Sequence, residues 1–204
     1  MTHHAIVVSA QTDEGEAVRL AAEALAAGLL VVLPTDTVYG LAADPRLHGA
    51  EDRLRAAKGR EPDKPIPILA TDVEAVISAG VAMNTFERRL AAAFWPGPLT
   101  LVMEKGERQE GFRVPDCAVT RRVLKACGGL LRVTSANLSG EEPARTAAEA
   151  AAALVGRVAM VLDDGPSPGG TPSSVIRVTG GGIAVIREGA ISREQIERAM
   201  RKER

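Results

Sequence analysis

Apolar and polar positions follow two rhythms along this chain. Short runs rich in Val, Ile and Leu, closed by proline, glycine or polar clusters, predict strands at Ala5–Ser9, Leu29–Leu33, Ile66–Ala70, Leu99–Met103, Leu130–Thr134, Val158–Leu162, Ser174–Thr179 and Ile183–Arg187. Between them lie helical stretches whose starts carry capping-box spacing: Asp13 with Glu16, Thr71 with Glu74, Asn84 with Glu87, Thr146 with Glu149, and Ser192 with Gln195. Val18, Ala22, Leu25 and Leu29 give the first helix an apolar face. Ile191 and Ile196 sit where a hydrophobic staple closes the last helix, whose inner face continues through Ala199 and Met200 before a charged tail. The final two strands flank Gly180-Gly181-Gly182 and predict an antiparallel hairpin. Strands separated by helices are free to run parallel. The expectation is α/β: a mixed sheet covered by helices.

Composition narrows the function classes. The chain has 204 residues, enough for a substantial core, and no linker divides it, so one domain over 1–204 is expected. Charges nearly cancel, 25 Lys+Arg against 26 Asp+Glu, which leaves no global basic field for nucleic acid or an acidic membrane. Aromatics are only 2%, so the core must come from Ala, Val, Leu and Ile. Cys117 and Cys127 lie ten apart with no histidine nearby, which argues against a zinc site or a disulfide framework and suits a reducing cytoplasm. His3 and His4 read as a solvated terminus rather than metal ligands, so no metal site is expected. No signal peptide is visible. The longest apolar run, Ala24 to Leu33, is too short to span a bilayer, so no membrane partner is expected.

The chemistry concentrates where strands end. Pro34-Thr-Asp-Thr-Val-Tyr-Gly-Leu41 follows an apolar run and places two hydroxyls and a carboxylate at its exit. Thr134-Ser-Ala-Asn-Leu-Ser-Gly140 repeats that pattern after Leu130–Val133, adding an amide. Lys58-Gly-Arg60-Glu-Pro-Asp-Lys64-Pro65 holds three cations within seven residues, either a solvated helix end or an oxyanion clamp stiffened by proline. Arg113-Val-Pro-Asp116 and Arg187-Glu-Gly-Ala-Ile191 each put a cation at the end of an extended piece, and Ser173-Ser174 adds a hydroxyl pair. In Trp95-Pro-Gly-Pro-Leu-Thr100 the prolines stop a helix, with Trp95 as a core anchor. The glycine- and proline-rich stretch Asp164 to Pro172 is the one long loop. Read singly, most of these segments have an ordinary structural explanation. P-loop and dinucleotide fingerprints are absent, there is no Gly-x-Ser-x-Gly elbow, and His48 is the only histidine outside the N-terminus, so a Ser-His-Asp hydrolase is not indicated.

Taken in order, these segments closely resemble the YrdC/Sua5 family of threonylcarbamoyl-AMP synthases, from about Leu29 to Ile191. The resemblance implies a twisted mixed sheet around a basic concave groove. It also implies conversion of L-threonine, bicarbonate and ATP to threonylcarbamoyl-adenylate and pyrophosphate, with Mg2+ accompanying ATP. The product would feed a tRNA threonylcarbamoyl transferase complex that modifies the adenosine beside the anticodon. By position, Lys58 and Arg60 would be the catalytic phosphate clamp, and Arg113, Asn137 and Arg187 would join them on the nucleotide. Thr35, Lys64, Ser135 and Ser173 would bind threonine, Thr35 through its hydroxyl. Three departures stand out: Glu61 where proline is common, Cys117 where histidine is frequent, and Ser173-Ser174-Val175 for Ser-Thr-Val. The chain resembles the short form that lacks a further C-terminal domain. Weak RNA or tRNA binding is compatible with this reading, while a second reading is an RNA-binding or ribosome-associated factor using the same groove. A third, the related domain of hydrogenase-maturation carbamoyltransferases, lacks support because their zinc-binding cysteines are missing here.

Overall fold

The computed structural model describes residues 5–61, 64–180 and 182–201. His3, His4, Pro62 of the basic loop, Gly181 of the glycine turn and the last three residues of the charged tail lie outside that set. In chain order the elements are β1 (Ile6–Ser9), α1 (Glu14–Ala26), β2 (Val31–Leu33), β3 (Gly40–Ala43), α2 (Ala50–Lys58), β4 (Ile68–Ala70), α3 (Val73–Ser78) and α4 (Thr85–Phe94), followed by β5 (Leu99–Lys105), β6 (Arg108–Arg113), α5 (Ala118–Ala126), β7 (Leu130–Ser135), α6 (Ala147–Ala153), β8 (Met160–Asp163), β9 (Ser174–Thr179), β10 (Gly182–Arg187) and α7 (Arg193–Arg201).

Among the described residues the strands form one sheet, ordered β1-β8-β2-β3-β7-β4-β6-β5-β9-β10. The sheet is mixed, as the pattern predicts: β1, β8 and β2 run parallel, β3 is antiparallel to both β2 and β7, and β9 and β10 form the antiparallel hairpin. Period-two alternation sends β2 side chains to opposite faces. Val31 and Leu33 enter a cluster with Ala17, Ala21 and Leu25 of α1 and Val123 and Leu124 of α5. Val32 enters another with Leu54 of α2 and Ala150 of α6. A third cluster joins β5 and Phe112 to α3, α4 and α7, and both Ile191 and Ile196 lie in it.

The caps explain which helices the sequence announces. Asp13 accepts from the Glu16 N–H at 3.0 Å, and Asn84 with Glu87 and Thr146 with Glu149 close full capping boxes. The Ser192–Gln195 pair is also reciprocal. The start predicted at Thr71 is corrected by one residue. Asp72, not Thr71, caps α3 by accepting from the Ala75 N–H, because the Thr71 hydroxyl donates to the Gly129 carbonyl instead. The two helices with no predicted start, α2 and α5, begin at Gly49 and Cys117, and neither has a side-chain cap. The first helix also ends earlier than its apolar period suggests: Ala17, Ala21 and Leu25 are the buried stripe, while Leu29 lies beyond the helix and half exposed.

The register places site-bearing strand ends at opposite sides of the sheet. Leu33 ending β2, Gly40 opening β3 and Ser135 ending β7 are consecutive partners. Because β7 and β4 are antiparallel and β4 and β6 parallel, Arg113 ending β6 points the other way, beside the start of β5, the start of β9 and the end of β10. Arg113 nevertheless hydrogen-bonds to Asp36 and Thr37, just past β2. Accumulated strand twist must therefore curl the sheet until its two sides meet.

Candidate active site

The first side of the site is the turn after β2. Thr35, only 5% exposed, makes it rigid: its hydroxyl donates to the Val38 carbonyl at 2.6 Å and accepts from the Thr37 and Val38 N–H groups at 3.1 and 3.2 Å. This is the local hydroxyl turn that Ser and Thr favour. The Thr37 hydroxyl lies 2.9 Å from it and receives the Arg113 Nη1 donation at 3.0 Å. Arg113, 6% exposed, also pairs with the Asp36 carboxylate and donates from Nε to the Gly97 carbonyl at 3.0 Å. Burial presses its pKa down while Asp36 opposes that, and the guanidinium stays charged. Asp36 further accepts from the Asp116 N–H at 3.2 Å, which ties two of the sequence motifs into one unit. Trp95 is partly buried against the third core cluster and donates to the Leu99 carbonyl at 2.6 Å.

The second side is the end of α2. Lys58 is 2% exposed, and its ammonium donates to the Ser135 carbonyl, to the Asn137 carbonyl at 2.6 Å and to Asn137 Oδ1 at 3.2 Å, with Ser135 Oγ at 3.3 Å. No carboxylate pairs with it among the described residues. Burial, followed by the neighbouring Arg60, lowers its pKa to about 8. An unpaired buried ammonium is costly unless its protons are satisfied, and here three protons meet four acceptors. The lysine therefore folds the Ser135–Asn137 loop around itself. The Asn137 amide nitrogen fixes the far side by donating to the Leu138 and Glu141 carbonyls, both at 2.8 Å.

Beyond Lys58 the chain opens. Arg60 is partly buried, donates once to the Pro65 carbonyl at 3.2 Å and leaves Nε without a partner. Lys64 is exposed and pairs with Glu61 at 3.1 Å, so the unusual Glu61 is engaged by this lysine. No hydrogen bond or ion pair among the described residues ties Lys64 to Thr35, Ser135 or Ser173. From the opposite side of the sheet, Arg187 donates to the Ser173 carbonyl at 2.7 and 3.1 Å and to Ser173 Oγ at 3.2 Å, and that hydroxyl sits 2.9 Å from Thr100 Oγ1. The Arg187 pKa is pushed down by burial and then by Arg113 and Arg60. Like charges from three separate segments thus bear on one another. Ser174 holds the Arg187 end in place: its hydroxyl donates to the Ile191 carbonyl at 2.5 Å and accepts from the Gly189 and Ile191 N–H groups. A Cβ at Gly189 would overlap the Pro172 carbonyl, so this close approach requires glycine.

Sequence reasoning found the cations and hydroxyls but missed their connections. Asp36, Thr37 and Thr100 each contact a predicted residue directly, and Arg145 lies across Gly170. The available signal was opposite charge in two motifs, Asp36 in one and Arg113 in the other.

An α/β sheet whose curled ends gather hydroxyls, an amide and arginines defines a class of small-ligand protein. The family model for Sua5/YciO/YrdC proteins, described as "Telomere recombination", matches residues 23–189, and the chain belongs to that family. A Mycobacterium tuberculosis relative is 36% identical over 183 residues, covering 85% of this chain and 84% of its own length. The threonylcarbamoyl-AMP synthase of Chromohalobacter salexigens is 34% identical over 165 residues, covering 76% of this chain and 89% of its own. The crystal structure of Pyrococcus abyssi Sua5 complexed with L-threonine superposes with a TM-score of 0.89 at 30% identity. That match covers 97% of this chain and 61% of the longer Pyrococcus chain.

Proposed function

We propose that this chain is an L-threonylcarbamoyladenylate synthase, a nucleotidyltransferase that joins L-threonine, bicarbonate and ATP and releases pyrophosphate. One observation carries the reading within a family whose members include threonylcarbamoyl-AMP synthases: Arg187, held by Ser173 and with its pKa lowered first by burial, feels the like charges of Arg113 and Arg60 from two other parts of the chain. Mutual repulsion of that kind is relieved by an anion, and a nucleotide triphosphate supplies one.

In this reading Arg60 and Arg187 take the phosphates. Lys58 adds charge while shaping the loop that presents Asn137 to the nucleotide. Arg113 is partly neutralised by Asp36 and contributes chiefly by holding the Thr35 turn. Thr35, Ser135 and Ser173 form the threonine side, with Lys64 at its margin. The threonine amine captures bicarbonate carbon as a carbamate, releasing water. A carbamate oxygen then attacks the α-phosphorus, and pyrophosphate leaves as that bond forms. The protein's part is positioning and charge neutralisation rather than covalent catalysis. Mg2+ enters as the ion accompanying ATP. The product would pass to a tRNA threonylcarbamoyl transferase complex in the cytoplasm; among the described residues no helix is long and apolar enough to cross a membrane.

The test is incubation with ATP, bicarbonate and each amino acid in turn, following adenylate and pyrophosphate. Release that depends on threonine is expected; release indifferent to the amino acid would overturn the reading. The RNA-binding alternative predicts sub-micromolar tRNA affinity with a steep salt slope.

A further inference from the structure

Tyr39 is the only tyrosine of the chain, is fully buried, and has no part in the chemistry above. Its backbone joins two loops of the site: the Tyr39 N–H donates to the Ala144 carbonyl at 2.9 Å, and its carbonyl accepts from the Ala136 N–H at 2.8 Å. Its side chain reaches a third. The phenol donates to the Gly165 carbonyl at 2.6 Å, with Asp163 Oδ1 at 3.2 Å, and Asp163 Oδ1 also accepts from the Gly165 N–H at 2.9 Å.

Residues 164–173 connect β8, second in strand order, to β9, ninth, so this loop has to cross the sheet. It does so over the Thr35 turn. Gly169 donates to the Asp36 carbonyl at 3.2 Å and Gly170 to the Thr37 carbonyl at 2.7 Å. A Cβ at Gly169 would lie 2.6 Å from the Asp36 carbonyl oxygen, so the approach admits only glycine. The phenol fixes the start of the crossing and the two glycine amides fix its middle.

We propose that Tyr39 is a positioning residue that latches the 164–173 loop over the Thr35–Thr37 turn and thereby sets affinity for threonine. This rests on the reading that the turn faces the threonine substrate. Tyr39→Phe keeps the ring and its packing while removing the donor to the part-buried Gly165 carbonyl, which loosens the start of the crossing. The expected results are hydrogen exchange at the Gly169 and Gly170 amides about tenfold faster, and a threonine Kd raised about five- to tenfold with ATP affinity nearly unchanged. Asp163→Ala removes the second acceptor and the Gly165 brace and reads the same two quantities should Tyr39→Phe fold poorly. Unchanged exchange at both glycines, or an unchanged threonine Kd in a variant whose exchange has quickened, would overturn the latch. Wild-type protein that binds no threonine would overturn the reading of the site instead, and the exchange rates would still judge the latch.

Discussion

The two sides of the site are built on opposite principles. Around Thr35, Thr37 and Arg113 the polar groups are buried and hydrogen-bonded to one another, and of the Asp36 carboxylate only Oδ2 is left without a partner, so most of this wall is built before any ligand arrives. Around Arg60 and Lys64 the cations are exposed or half-buried and make few contacts. A satisfied wall can hold geometry; an unsatisfied one can accept a new partner. Lys58 belongs to both, since it is buried and fully bonded like the first yet, like Arg60, has no carboxylate partner among the described residues. Residue type alone would have called all these cations phosphate ligands, whereas their partners divide them into builders and binders.

Removing a builder should have the largest effect on stability. Arg113→Met leaves the Asp36 carboxylate without its cation, with the two side chains only 7% and 11% exposed. Loss of about 3–5 kcal/mol in urea unfolding is expected. Arg60→Ala should reverse the pattern: unfolding free energy changes by less than about 1 kcal/mol, while threonine-dependent pyrophosphate release falls about tenfold to a hundredfold. An Arg60 variant that is unstable but fully active would dissolve the distinction between the two walls.

Lys58 gives the comparison a pH axis. Its folded pKa, about 8, lies below the 10.5 of the unfolded chain. Between those values the unfolded state binds the additional proton, so this group makes stability rise with pH across roughly 8 to 10.5. Below about pH 8 its contribution is flat. ATP affinity should move the other way and weaken above about pH 8 as the ammonium charge is lost. Lys58→Met should remove both trends, and unfolding and ATP titrations across that range check them. The smallest effects belong to the exposed margin. Lys64→Ala should change stability by less than about 1 kcal/mol, because its Glu61 pair is solvated. Glu61→Gln should tighten ATP about twofold by removing a negative charge beside the clamp, as ATP titration will show.

Much of this was legible because it is local. Capping boxes, the hairpin and the apolar strands depend on residues a few positions apart, and Asn84, Thr146 and the β9–β10 pair stand where their spacing put them. Two strands were not foreseen. β3 is buried throughout and built of Gly, Leu and Ala, so it shows no alternation, and β6, of which only an extended piece ending at Arg113 is visible in sequence, begins with exposed Arg108 and Gln109. The missing part of the site is what twist creates. Arg113 meets Asp36 only because opposite ends of the sheet curl together, and no short-range pattern encodes that meeting. In sequence the Lys58 charge fits either a solvated helix end or an anion clamp, while the Ser135 and Asn137 backbone carbonyls that enclose it carry no residue signature.

The most direct measurement follows labelled bicarbonate carbon into the adenylate. With ATP and threonine present, wild-type protein is predicted to form an adenylate carrying the label and to release one pyrophosphate for each, with Arg60→Ala depressing both together. An unlabelled threonyl adenylate, or pyrophosphate release that continues without bicarbonate, would contradict the account.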